Sequence, residues 1–176
     1  IISVNAVYAQ NCFLDELYRS ESTNNKKWRT DPRFSGIGNT IGDIGVHAQN
    51  LVGYVTGLKI KRLCATVDRF GKQLDYNDNV LVEYENGVHG AYWCSQVAAG
   101  KQNGLSVGIY GTKGAVEWHQ QYPDYLRFTR HDEPTQILSR GGSYLDVAAA
   151  QGSRIPAGHP EGYICAYADT YRNIAN

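Results

Sequence analysis

The chain has 176 residues with 17 basic and 17 acidic side chains, so its formal net charge is zero. A chain of this length can bury a core as one domain, and its balanced charge provides no basic surface for a nucleic acid. No apolar run approaches the roughly 20 residues that span a membrane. The four cysteines lie far apart, which is typical of reduced thiols and favours neither a disulfide framework nor a zinc site. We therefore expect one soluble, cytoplasmic domain.

The first predicted element is a strand over residues 1–10, where apolar and polar side chains alternate. Residues 11–27 are polar and irregular, and Pro32 and Gly36 interrupt regular structure in the segment that follows. The chain therefore begins with a strand whose partners must come from later in the sequence.

The segment after residue 27 brings together Trp28, Arg29 and Asp31. Arg offers a fork of donors, Asp accepts, and Trp provides a flat apolar face, a combination that suits a polyhydroxylated ligand. An Arg–Asp ion pair that pins a loop above a packed Trp explains the same residues equally well. In both interpretations this loop lies at the mouth of the next element.

Residues 40–57 have the clearest helical pattern and are predicted to form one amphipathic helix. Thr40 is the predicted N-cap, and Gly57 is the predicted glycine after the last turn. The glycine run over residues 36–42 is similar to a nucleotide-binding loop, but it follows a polar loop rather than a buried parallel strand, so we reject that role. The apolar arc of the helix contains Ile41, Ile44, Ala48, Leu51, Val52 and Val55.

A second edge of this helix carries Asp43, His47, Asn50 and Tyr54. Asp43, one turn before His47, can accept a hydrogen bond from one ring nitrogen and leave the other free to take a proton from a substrate hydroxyl. The spacing alone also permits a helix-capping Asp beside a half-buried histidine. A metal pair is the weaker interpretation, because no third ligand lies nearby in sequence.

After the helix the pattern changes to the two-residue period of β-strands, with Asn86-Gly87 as a hairpin turn. Turn residues separate the later strands, which predicts an antiparallel sheet. The sheet is rich in aromatic residues, so its uncovered face is a candidate subunit interface. The predicted strands are residues 58–70, 79–85, 88–97, 105–110, 115–121, 126–130 and 135–139, and the aromatic residues include Tyr84, Tyr92, Trp93, Tyr110 and Trp118.

Near the end of the chain, residues 141–155 are predicted to form a small-residue loop or a short helix. A second amphipathic helix follows, with Pro160 in its first turn. His159 at its start could point into a cleft, but a loop histidine without a role fits the sequence as well. The predicted buried stripe of this helix contains Ile164, Tyr167, Ala168, Tyr171 and Ile174.

The segments W-R-T-D-P, G-D-I-G-V-H-A, Y-V-T-G-L, Y-G-T-K-G and P-A-G-H-P-E-G-Y occur in this order along the chain. Together they resemble the C-terminal domain of the Gfo/Idh/MocA oxidoreductases, the family of glucose-fructose oxidoreductase and inositol dehydrogenase. The resemblance implies an α+β, two-layer fold with helices on one face of an open, mainly antiparallel sheet. It also implies that residues 1–176 are one substrate-binding lobe, without the family's N-terminal Rossmann domain.

By this resemblance, His47 takes the proton of a sugar, cyclitol or polyol hydroxyl as hydride passes to NAD or NADP, and Asp43 orients His47. The family's cofactor-binding residues and catalytic Lys belong to the part that this chain lacks, so the chain alone is expected to be inactive. The open sheet face is the expected contact of a homodimer or tetramer, and no metal is implied. The residues implied to shape the substrate pocket are Trp28, Arg29, Asp31 and His159.

Two alternatives remain open on sequence grounds. An NAD-dependent glycosidase or epimerase lobe has the same fold, and Asp43 and His47 suit its internal redox chemistry as well. A free-standing carbohydrate-binding or oligomerisation module would keep the fold without the chemistry. The absence of Met and a start within an alternating pattern favour a piece of a longer protein.

Overall fold

The structure is a computed structural model that describes residues 1–18 and 27–175. The predicted irregular segment, residues 11–27, therefore lies in part outside the described residues. The strands of the sheet are β1 (Ser3–Ala9), β2 (Ile60–Asp68), β3 (Asn77–Tyr84), β4 (His89–Ser95), β5 (Gly104–Gly111), β6 (Gly114–His119), β7 (Tyr125–Arg130) and β8 (Gln136–Ser139).

These strands form one open sheet of eight strands in the order β2-β3-β4-β1-β5-β6-β7-β8. β1 pairs in parallel with β4 and antiparallel with β5, and each remaining neighbouring pair is antiparallel. The prediction of an α+β fold with a mainly antiparallel sheet is therefore confirmed. The first strand of the chain occupies the centre of the sheet, where both of its edges are hydrogen-bonded.

The helical segments lie before β2 and after β8. A 3₁₀ turn and a π-turn accompany the α-helices, and the π-turn runs directly into the longest helix of the first group. The segments are α1 (Leu14–Tyr18), the 3₁₀ turn (Lys27–Thr30), α2 (Pro32–Ser35), the π-turn (Ile41–Gly45), α3 (Val46–Thr56), α4 (Val147–Gln151) and α5 (Tyr163–Ala175).

One face of the sheet carries the hydrophobic core. Ile44, Ala48 and Val52 of the π-turn and α3 are buried, and α3 contacts β1 and β5. Alternate strand residues such as Val82 meet them from the sheet, because successive side chains of a strand point to opposite faces. The opposite face is open, since Leu81, which precedes Val82, is 65% exposed.

The predicted helix over residues 40–57 differs from the structure at its N-terminal end. Residues Ile41–Gly45 form a π-turn, and Thr40 occupies the predicted N-cap position, but its side chain makes no capping hydrogen bond. Asp75 supplies the cap instead. Its Oδ1 accepts from the backbone amide of Asn39 at 2.5 Å, and its Oδ2 accepts from that of Ile41 at 2.8 Å. A carboxylate distant in sequence satisfies the unpaired amides of this helical end.

The C-terminal end of the same segment agrees with prediction. Gly57 has φ of 70°, and its amide donates to the Gly53 carbonyl oxygen at 2.9 Å. Two members of the predicted apolar arc, Ile41 and Val55, are 39% and 53% exposed. They lie at the two ends of the segment, and the wider π-turn rotates Ile41 away from the arc that an uninterrupted α-helix would give.

The aromatic residues of the sheet divide between its two faces. Tyr84 and Tyr92 are buried in the core, where their hydroxyl oxygens lie 2.8 Å apart, so they do not contribute to an open contact face. Trp93 and Tyr110 are partly exposed and point the other way. The prediction of an aromatic face therefore holds for only part of the set.

The last helix, α5, is present but begins at Tyr163 rather than at Pro160. Its predicted buried stripe is wrong for this chain, because α5 contains no buried residue. Ile164 and Ile174 are 82% and 76% exposed. The pattern is amphipathic, but within the described residues α5 has few neighbours against which its apolar side can pack.

Candidate functional site

Asp43 lies in the π-turn with its side chain 35% exposed. Its Oδ2 accepts a hydrogen bond from the Arg29 guanidinium and, at 2.6 Å, from Nε2 of Gln96. Arg29 is held in turn by the Phe13 ring, whose centroid lies 5.5 Å from its guanidinium carbon. The predicted catalytic Asp43 is thus anchored by one donor that precedes it in sequence, Arg29, and one that follows it, Gln96.

Sequence reasoning missed Gln96, which is fully buried immediately after β4. Its Oε1 lies 3.0 Å from the Thr40 hydroxyl, which also lies 3.1 Å from the Asp75 carbonyl oxygen. Thr40 therefore supports the side chain behind Asp43 rather than capping the helix. A glutamine near the end of the predicted strand over residues 88–97 carries no local signal for this role, because its partners are distant in sequence.

Two buried carboxyl groups, Asp75 and Asp78, lie behind this network. Burial by itself would raise the pKa of Asp75, but hydrogen bonds from Asp78 and from the backbone amides of Ile41 and Asn39 lower it below its ordinary value. Burial, together with the Asp75 carboxylate, raises the pKa of Asp78 to about 8. Burial and the neighbouring carboxylate thus favour the protonated form of Asp78, whereas the Asp75 carboxylate accepts from the amides at the start of the π-turn.

His47 follows one turn after Asp43, on the exposed side of α3. Its ring centroid lies 6.1 Å from that of Tyr8, and the two rings are tilted by 55°. The predicted hydrogen bond between Asp43 and His47 is not formed within the described residues, where Asp43 bonds to Arg29 and Gln96. The imidazole is consequently open to a ligand.

A cleft of about 880 Å³ opens beside His47 between α3, the sheet and α5. Among the described residues, His47 is the only histidine in its lining, and no Lys, Arg, Asp or Glu contributes. Neutral polar and aromatic side chains dominate instead. They include Asn50, Asn103, Gln120, Tyr54, Trp118 and Tyr163.

A hydrogen-bonded group of amides forms the wall of the cleft nearest the sheet. Oδ1 of Asn103 accepts from the Tyr8 hydroxyl at 2.7 Å and from Nε2 of Gln10 at 2.6 Å. Burial raises the pKa of Tyr8, so the phenol stays protonated as a donor. Because two donors occupy Oδ1 of Asn103, its amide NH₂ is left to donate to a ligand in the cleft.

The other predicted pocket residues lie outside this lining. Trp28 is 59% exposed. Asp31 caps α2 through the Arg33 amide, and its ion pair with the Arg33 side chain lowers the pKa of Asp31. His159 is exposed in a loop, where its carbonyl oxygen accepts from Nη2 of Arg140 at 2.6 Å. Of the predicted set, the structure brings only Arg29 to Asp43.

The described residues provide neither a metal centre nor a dinucleotide loop. No group of three or more His, Cys, Asp or Glu side chains is arranged to hold a metal within residues 1–18 and 27–175. The glycine run at 36–42 follows α2, not a parallel strand, and leads into the π-turn. In the same part of the chain, no helix has the length and apolar character to cross a bilayer.

Comparison with known proteins gives a consistent result. The chain is similar to an uncharacterized oxidoreductase, YfiI, of Bacillus subtilis (strain 168), with 35% identity over 154 residues, 85% of this chain and 39% of that protein. It superposes on an inositol dehydrogenase homolog from Azotobacter vinelandii complexed with NAD+ at a TM-score of 0.92 and 34% identity, over 99% of this chain and 46% of that one.

An oxidoreductase from Sinorhizobium meliloti matches 99% of this chain at 40% identity and a TM-score of 0.83, with 45% of its own length covered. This chain therefore spans less than half the length of these relatives. The family model for the GFO/IDH/MocA C-terminal domain matches residues 2–117. Because this match covers more than half of the chain, it shows that the chain belongs to the GFO/IDH/MocA family as its C-terminal domain.

Proposed function

We propose that the chain is the substrate-binding and catalytic lobe of a longer NAD- or NADP-dependent oxidoreductase that oxidises a hydroxyl group of a sugar, cyclitol or polyol. The observation that carries the proposal is the open imidazole of His47 at the edge of an uncharged cleft, one turn from the anchored carboxylate of Asp43. The family membership of the chain supports the same reaction class.

His47 is the proton acceptor in this proposal. His47 lines the cleft, and a histidine side chain is the most common acceptor of a substrate proton in enzymes. The negative charge of Asp43 one turn away favours the imidazolium that forms, without needing a direct hydrogen bond. A bound nicotinamide would accept the hydride from the substrate carbon that carries the deprotonated hydroxyl. The described residues lack a dinucleotide loop, so cofactor binding is assigned to the rest of the longer protein.

The lining of the cleft indicates the class of substrate. Amide donors and acceptors suit hydroxyl groups, and aromatic faces suit the C–H faces of a sugar or cyclitol ring. The absence of charged side chains other than His47 among the described lining residues disfavours phosphorylated or acidic sugars. A related structure, an inositol dehydrogenase homolog from Azotobacter vinelandii at 32% identity, is complexed with NADH and myo-inositol.

The open sheet face is proposed as the contact of a homodimer or tetramer. One row of paired residues crosses it from β2 to β8, and its members lie on the same face. Small residues at the centre of this row leave room for the surface of a partner subunit. The Tyr110 ring lies over Gly108, and its hydroxyl donates to Glu117 at 2.9 Å. The row consists of Cys64, Leu81, Ala91, Asn5, Gly108, Glu117, Arg127 and Ile137.

The test is nicotinamide reduction by the full-length protein against a panel of neutral sugars, cyclitols and polyols, with sugar phosphates and sugar acids as negative controls. The 176-residue chain is the control for the missing part. Turnover of a neutral polyol by the long form alone supports the proposal. Tightly retained NAD without net reduction would instead favour a glycosidase or epimerase, and failure of both forms to bind NAD would favour a binding module.

A further inference from the structure

Gln96 occupies an unusual place for an amide side chain. It lies directly after β4 and has no exposed surface. Its main chain is fixed on both sides, since its amide donates to the Tyr76 carbonyl at 3.0 Å and its carbonyl accepts from the Phe13 amide at 3.0 Å. Burying an amide side chain is costly unless its polar atoms are paired, so the contacts of this group define its role.

The direction of the Gln96 amide is determined by its two neighbours. Nε2 donates to Oδ2 of Asp43 at 2.6 Å, and Oε1 lies 3.0 Å from the Thr40 hydroxyl. The opposite orientation would place a carbonyl oxygen against the carboxylate, which is repulsive. The Gln96 amide group therefore cannot rotate away from Asp43, because its Oε1 is held by Thr40, the residue just before the π-turn.

The two donors to Asp43 share one oxygen. Gln96 and Arg29 both donate to Oδ2 of Asp43. Within the described residues, Oδ1 of Asp43 is therefore the oxygen that remains to accept from His47 or from a substrate hydroxyl. Arg29 approaches from the 3₁₀ turn and packs against the buried Phe13 ring, whereas Gln96 approaches from the end of β4. Gln96 therefore ties the carboxylate directly to the end of a central strand of the sheet.

We propose that Gln96 is a positioning residue for the reaction, one that holds Asp43 with Oδ1 directed toward the site and stabilises its ionised form. The inference rests on the proposed function of the Asp43 and His47 pair. Hydrogen bonds to a carboxylate favour its charged state, and a fixed geometry preserves the alignment on which proton transfer depends.

The charged and titratable groups around Asp43 define what a pH experiment reports. Arg29 contacts it from the 3₁₀ turn, and His47 lies one turn further along the same helical segment. Asp75 lies behind Thr40 and Gln96, and its carboxylate favours the protonated form of its neighbour Asp78. Loss of the Gln96 donor removes one stabilising contact from the Asp43 carboxylate and leaves these other groups in place.

The experiment compares Gln96→Met with the wild-type full-length protein, and uses Gln49→Met on the exposed side of α3 as the matched control. Met preserves the volume and removes the donor. We expect kcat to fall by about tenfold to a hundredfold, with KM for the polyol within about twofold. The acidic limb of the kcat profile moves to higher pH, because the carboxylate loses a hydrogen bond that favours its ionised form.

Thr40→Val serves as a second variant, since it retains Gln96 and removes only the hydroxyl that holds Oε1. It is expected to show the same shift of the acidic limb at a smaller size. A titration of the Asp43 carboxyl carbon by NMR provides a readout that needs no turnover. In Gln96→Met this carbon is expected to titrate at higher pH than in the wild type and in Gln49→Met.

The outcomes separate the two proposals. A lower kcat with an unmoved acidic limb and an unmoved carboxyl titration would reduce Gln96 to a packing residue and overturn the inference. Wild-type protein that reduces no nicotinamide would overturn the proposed function, and the carboxyl titration would still decide whether Gln96 stabilises the Asp43 carboxylate. A shift in both readouts, absent in Gln49→Met, supports the inference.

Discussion

The side chain of Asp75 caps the π-turn that begins at Ile41, with Oδ2 of Asp75 2.8 Å from the Ile41 amide nitrogen. The other carboxylate oxygen accepts from the Asn39 amide at 2.5 Å. The turn that carries Asp43 is thus fixed by a residue 34 positions away in sequence. This contact explains why the segment that carries the candidate catalytic residue Asp43 keeps its shape without a side-chain cap from Thr40.

Replacement of Asp75 by Ala is expected to lower the free energy of unfolding by about 1–3 kcal/mol, because the buried Asn39 amide and the partly buried Ile41 amide lose their acceptor. Hydrogen exchange of residues 39–45 should accelerate most. Asp146→Ala is the matched control, since Asp146 caps the exposed helix α4, and its loss should cost only about 0.5–1 kcal/mol. Equal effects of the two variants on the exchange of residues 39–45 would contradict this role.

Asp78 predicts a pH dependence of stability. Its pKa is about 8 in the folded chain against an ordinary value of 3.8, so the folded state binds a proton that the unfolded state releases. Stability should therefore fall as the pH rises from about 4 to about 8. Asp78→Asn removes this titration, and its melting temperature should depend less on pH than that of the wild type. A parallel decline in both proteins would show that Asp78 does not titrate in this range.

Replacement of His47 by Ala in the full-length protein should lower kcat by about two to four orders of magnitude, because the hydroxyl proton loses its acceptor. Binding of nicotinamide cofactor should change little. His131→Ala, at an exposed histidine after β7, is the control and should retain activity. Wild-type turnover in the His47 variant would refute the assignment.

Asn103 is expected to determine affinity for the substrate. Asn103→Leu removes the amide NH₂ that the Tyr8 and Gln10 contacts leave for the ligand, and KM should rise by about tenfold, with kcat within about twofold. Gln102→Leu changes an adjacent exposed amide and should leave KM unchanged. If both variants bind the polyol as the wild type does, Asn103 does not contact the substrate.

Leu81→Lys tests the open sheet face. Leu81 is 65% exposed at the centre of β3, and a charge there would be buried in a subunit contact, so the oligomer should dissociate. Light scattering after size exclusion should report a molar mass reduced to that of a smaller assembly. Val147→Lys on α4, also exposed, should keep the wild-type mass. An unchanged mass for Leu81→Lys would place the contact elsewhere.

Local patterns in the sequence predict most of the secondary structure. The two-residue period gives the strands, and Asn86-Gly87 gives the hairpin because Gly87 adopts φ of 82°. The three-to-four-residue period brings Asp43 and His47 to one edge of a helical segment, although the π-turn lies outside what such a pattern can indicate. Each of these features depends on residues that are near one another along the chain.

The tertiary structure decides what surrounds the two candidate catalytic residues. Gln96 lies 53 positions from Asp43, and Asp75 lies 36 positions from Asn39, so no local period can report either contact. The exposed stripe of α5 gives the converse case, because an amphipathic pattern indicates an apolar side without naming what packs against it. The sequence thus determined the helix edge that carries Asp43 and His47, because their spacing is local, whereas the tertiary structure decided which side chains hold Asp43, because Arg29 and Gln96 reach it from other elements.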